Sequence, residues 1–167
     1  MGEMATDLIK RYKDEHADLD AGLARMTEVL DDARHGVDAA TVAALRDLDR
    51  FLNRELLVHA EWEELTFYPP IGELIRRHGN VNEAMLIDHV AIVDRVKTFT
   101  ELIRRIGAGE RHADLIDRAR ILAYQIQALV AVHDRKEEDV YLALLRRHSS
   151  DEDLIHALAI GDLTGHD

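Results

Sequence analysis

His59-Ala60-Glu61-Trp62-Glu63 and His133-Asp134-Arg135-Lys136-Glu137 twice set a histidine and a glutamate four residues apart. Four residues make about one turn of an α-helix, so each pair stands on one helix face. A lone histidine precedes each pair at nearly the same interval: His16 lies 43 residues before His59, and His89 lies 44 before His133. The chain thus carries two copies of one arrangement, each a helical hairpin that offers two imidazoles and one carboxylate.

Working outward, the apolar spacing predicts a first helix over residues 6–34, with Leu8, Tyr12, Leu19, Leu23, Met26 and Leu30 on its buried stripe. His35-Gly36 ends it, glycine being the usual left-handed stop. A second helix begins near Asp38 and carries Val42, Leu45, Leu48, Leu52 and Leu56 beside His59; Pro69-Pro70 is expected to end it after Tyr68. A short turn through Leu74 to His78 follows, closed by Gly79. The third helix spans residues 82–106 and stops at Gly107 and Gly109; the fourth spans 113–148. Short connections make sequential helices antiparallel. The expected fold is all-α, an antiparallel up-down-up-down four-helix bundle over residues 1–150, with a tail over 151–167 that holds one short extra helix at 151–160. In that bundle His16, His59 and His89 fall about two turns from the same end.

Composition narrows the chemistry. The chain has 167 residues, 47% of them hydrophobic, with two prolines and only 5% aromatics, which suits long helices. Cysteine is absent, so thiolate sites and cysteine nucleophiles are excluded, and Ser149-Ser150 are the only serines. A net charge of −12 disfavours a nucleic-acid partner. The pairs Arg76-Arg77, Arg104-Arg105 and Arg146-Arg147 read instead as cations at helix C-termini. No apolar run reaches the ~20 residues of a membrane span, and the first residues do not resemble a secretory signal, so a cytoplasmic protein is expected.

An isolated inward histidine is ordinarily a hydrogen-bonded core residue, and an isolated His-x-x-x-Glu a solvated pair. Buried without partners, however, Glu63 and Glu137 would cost several kcal/mol each, roughly. Duplicate spacing and matched depth favour a joint role for His16, His59, Glu63, His89, His133 and Glu137 as metal ligands. Imidazole suits iron, zinc, copper and nickel, and carboxylates can bridge two ions. Six donors exceed the four of a closed structural zinc site, and a pair of iron ions with an oxo or hydroxo bridge fits them. Glu55, Tyr12 and Tyr141, each one turn from a ligand, are candidates for additional or outer contacts. Trp62 reads as packing. His35, His78, His112, His148, His156 and His166 read as capping or surface residues, and Glu64 and Glu138 as pointing away from the site.

These six residues resemble the signature H-HxxxE-H-HxxxE of a subgroup of the hemerythrin-like, or HHE cation-binding, family, over about residues 6–148. The run Glu63-Glu64-Leu65-Thr66-Phe67-Tyr68-Pro69 is similar to the end of that family's second helix. Ferritin-like di-iron proteins use the opposite order, Glu before His. The resemblance implies a non-haem di-iron centre, with His16 and His59 on one iron, His89 and His133 on the other, and Glu63 and Glu137 bridging. Two departures from the oxygen carriers of the family stand out. Val93 occupies the place of their second helix-three histidine, and Glu137 stands one residue before the position of their bridging aspartate, where this chain has Glu138. Reactivity with oxygen species is therefore expected ahead of reversible oxygen carriage. Peroxide is the first substrate, through a catalase-like decomposition, with O2 and nitric oxide after it. The alternatives are a gas or iron sensor and an iron storage or delivery protein.

Overall fold

Two apolar clusters with a polar layer between them organise the structure, a computed structural model that describes residues 3–76, 81–110 and 112–162. Four helical rods cross both clusters. The first is α1 (Glu3–Ala33). The second is built from α2 (Ala39–Phe51), α3 (Leu57–Trp62) and α4 (Tyr68–Ile75), joined by π-helical turns at Leu52–Leu56 and Glu63–Phe67. The third is α5 (Val81–Gly107). The fourth is α6 (Ala113–Lys136) and α7 (Ala143–Arg147), joined by a π-helical turn at Glu137–Leu142. A final helix, α8 (Glu152–Asp162), comes last.

Cross-rod pairs fix the directions. Arg120 reaches Asp31 while Lys13 reaches Glu138, so the first and fourth rods run oppositely. Arg46 reaches Gly107 while Asn53 reaches Thr100, which sets the second against the third. Contacts close the ring α1–α2–α5–α6. The described residues thus form the expected all-α bundle, and none of their helices is long and apolar enough to cross a membrane.

Asp38 caps α2, its carboxylate accepting from the Thr41 backbone N–H at 2.7 Å. Gly109, at φ +102°, makes the turn between the third and fourth rods that a side chain would resist. Gly22 has a different duty. A Cβ there would run into the Phe51 ring, so its bare backbone lets the first two rods approach closely.

One expectation needs correction. Pro69-Pro70 do not end the second rod, which continues to Ile75. The Tyr68 N–H already bonds five residues back to the Glu63 carbonyl, and both prolines fall in the first turn of α4, where no N–H is required. Arg77, His78, Gly79 and His166 lie outside the described residues.

One apolar cluster contains Leu23, Met26, Leu45, Val96, Phe99 and Ile126. The other contains Ile9, Tyr12, Phe67, Tyr68, Tyr141 and Leu145, and α8 adds Leu154, Ile155 and Leu158 to it. Along every rod the candidate ligands fall between the two: His16 after Tyr12 and before Leu19, and His89 after Met85 and before Ile92.

Candidate metal centre

The polar layer brings all six candidate ligands together. Glu63 and Glu137 are 1% and 0% exposed, and His16, His89 and His133 are buried with them. His59 is half-buried. The ring nitrogens form two pairs. His16 Nε2 lies 3.1 Å from His59 Nε2, and His89 Nε2 lies 2.9 Å from His133 Nε2. Each glutamate faces both pairs. Glu63 Oε1 is 3.0 Å from His59 and 3.6 Å from His16, while its Oε2 is 3.3 Å from His89 and 3.7 Å from His133. Glu137 Oε2 is 3.6 Å from His16, and its Oε1 is 3.5 Å from His133.

Donors at right angles around an ion, with bonds of about 2.1 Å, stand about 3 Å apart. The spacings here are of that size. Among the described residues, three sets of groups have ligand atoms within 4.8 Å of one another: His16 with His59 and Glu63, Glu63 with His89 and His133, and His16 with Asp134 and Glu137. Glu137 Oε2 is buried and accepts no hydrogen bond among the described residues, an acceptor left for a cation. The donor set therefore fits a metal.

Local helix geometry aims these groups. The second and third π-helical turns begin at Glu63 and Glu137 themselves, and such turns recur at functional sites because the wider step re-aims the side chains beyond it. After the first of these two, Tyr68 swings into the layer, a position that helical spacing alone does not predict. Its hydroxyl lies 2.5 Å from Glu137 Oε1, 3.1 Å from His133 Nε2, and 3.3 Å from both His89 Nε2 and Glu63 Oε2. Its place before the proline pair suggests a helix stop instead.

Tyr12 donates to Glu63 Oε1 at 2.5 Å. Tyr141 packs on Tyr68 but sends its hydroxyl to Asn82 Oδ1 at 2.8 Å, away from the ligands. Glu55 is exposed. It lines the outer cleft beside His59 and belongs to none of the ligand groups found among the described residues. Val93 is half-buried outside the ligand groups. Trp62 is buried against Phe67. His35, His112, His148 and His156 are exposed. Glu64 does not point away: its Oε1 sits 2.7 Å from His89 Nδ1.

The electrostatics arise from two acids in one dry layer. Burial alone would lower the His59 imidazole, but the Glu63 carboxylate, with Glu15 behind it, pushes it up to about 10. Burial and the like charge of Glu63 push the Glu137 carboxyl well above the usual carboxylate range. Glu63 is held well below that range, because neighbouring imidazoles, His59 foremost, outweigh its burial. Clefts flank α1. One of about 350 Å³ opens beside His16 and Asp134, and one of about 280 Å³ beside His59 and Glu55.

The model of the hemerythrin HHE cation-binding domain matches residues 7–145, and every candidate ligand falls within that span. No curated protein and no solved structure gives a significant match. With the matched region covering most of its length, the chain belongs to the hemerythrin HHE cation-binding domain family.

Proposed function

We propose that this chain is a non-haem di-iron protein that binds or reacts with oxygen species, hydrogen peroxide first and O2 or nitric oxide after it. The observation that carries this reading is the double facing of Glu63 and Glu137, each of which presents oxygens to both histidine pairs. In this reading His16 and His59 would hold one ion, His89 and His133 the other, and Glu63 and Glu137 would serve both. Imidazole and carboxylate without thiolate is a donor set that suits iron. Held by these residues, a pair of iron ions would supply two-electron redox chemistry, giving two electrons when one peroxide is reduced to water and taking two back when a second is oxidised to dioxygen.

The rest falls to the chain. Tyr12 and Tyr68 hold protons beside the two carboxylates. The apolar cluster over them, with Phe67, Tyr141 and Leu154, keeps bulk water out. The clefts beside His16 and His59 give a molecule of peroxide size a short way in.

The test is iron content per chain together with oxygen evolution from added peroxide. Two irons per chain and rapid evolution, both lost in His59→Ala and Glu137→Ala, support the reading. Iron-loaded protein that leaves peroxide intact refutes turnover. Reversible spectral change with O2 or nitric oxide would then assign a binding role.

A further inference from the structure

The four imidazoles turn Nε2 inward, and three of them meet an acid at the other nitrogen. Glu64 Oε1 lies 2.7 Å from His89 Nδ1, Asp88 Oδ2 lies 3.3 Å from His133 Nδ1, and Glu15 Oε2 lies 3.4 Å from His59 Nδ1. At His16 the nearest such acid, Asp134, stands 3.8 Å away, beyond hydrogen-bond reach.

Two of these acids extend the internal repeat. Glu15 and Asp88 immediately precede His16 and His89, and each reaches the other histidine of its own hairpin. Each also meets a cation: Lys136 Nζ is 2.6 Å from Asp88, and Arg11 Nε is 3.4 Å from Glu15. Glu64 breaks the symmetry, because its counterpart Glu138 bonds Lys13 instead.

A neutral imidazole carries one N–H. An acceptor at Nδ1 keeps the proton there, leaves the Nε2 lone pair facing inward and stops the ring from turning. We propose that Glu15, Glu64 and Asp88 are positioning residues that fix the tautomer and orientation of His59, His89 and His133, and thereby set how tightly the centre holds metal. This rests on the metal-binding reading above.

Zinc, which is redox-silent, is the probe, titrated into the full chain against a chelator. Glu15→Ala, Glu64→Ala and Asp88→Ala should each weaken zinc about 10- to 100-fold. Glu64→Gln, which keeps an acceptor oxygen, should recover part of that loss, and Glu138→Ala should bind like wild type. Nitrogen NMR of the histidine rings in zinc-loaded wild type should show Nδ1–H at His59, His89 and His133. Alanine variants that fold and bind within about twofold of wild type, or rings protonated at Nε2, overturn the proposal while the metal site stands. Wild-type protein that takes up no metal overturns the underlying reading, and this proposal with it.

Discussion

The Tyr68 hydroxyl donates to Glu137 Oε1 at 2.5 Å, joining a residue just before two prolines to the acid that opens the last π-helical turn. Both groups are buried, so the bond satisfies an acid that would otherwise depend on a cation alone. Tyr68→Phe keeps the ring packing and removes only that donor. The metal-free protein should lose about 1–3 kcal/mol, the usual cost of an unsatisfied buried group, measurable by urea unfolding. An unchanged midpoint would show that the hydroxyl contributes nothing there.

Glu137→Gln is expected to act in the opposite direction on stability. It removes a buried acid whose ionisation is opposed by burial and by Glu63. At alkaline pH, metal-free Glu137→Gln should therefore melt above metal-free wild type, yet gain far less from added metal. A variant that melts lower and still responds to metal like wild type would contradict this.

Metal uptake should release protons and strengthen as the pH rises. His59, pushed up to about 10 by Glu63 and Glu15 against the effect of burial, carries a proton at neutral pH that must leave before the nitrogen can bind metal. A group raised in the folded state stabilises below its unfolded value, and that contribution is lost as pH climbs through the folded one. For His59 the window runs from 6.5 to about 10. The melting temperature of metal-free protein should fall across it, and the gain from zinc should widen. Paired melts with and without zinc at several pH values check this, and a gap that narrows as pH rises would refute it.

At Gly22, two effects of opposite sign compete. Alanine favours a helix over glycine by about 1 kcal/mol, but its Cβ would meet the Phe51 ring. Overpacking costs about 1–3 kcal/mol, so Gly22→Ala should lower stability. In a Phe51→Ala background the same change should raise it. Chemical denaturation of all four combinations gives the sign directly.

Leu158→Ala should cost about 2–5 kcal/mol, as for other fully buried leucines, because Leu158 is 1% exposed within the cluster that covers the tyrosines. Little loss on thermal or urea unfolding would mean that α8 is dispensable to that cluster.

Much of this protein was legible in the chain. Helical periodicity fixed the four rods, since a single face must be buried along each, and the duplicate spacing of His16, His59, His89 and His133 placed them at one depth. Short connections then forced antiparallel neighbours. Four features escaped, two through a local helical step and two through how the rods meet. The run through Pro69 and the inward swing of Tyr68 arise from a five-residue hydrogen-bond step after Glu63, which spacing counted at 3.6 residues per turn does not foresee. Tyr141 was within reach of the site by turn-counting, but Asn82 on another rod captured its hydroxyl. Turn-counting on its own helix points Glu64 away, yet the helix bearing His89 packs beside it. Sequence thus decided which residues lie in the layer, through burial patterns local to each helix. Tertiary packing decided which atoms touch, because a hydrogen bond a few ångströms long depends on the relative placement of two rods that no single rod encodes.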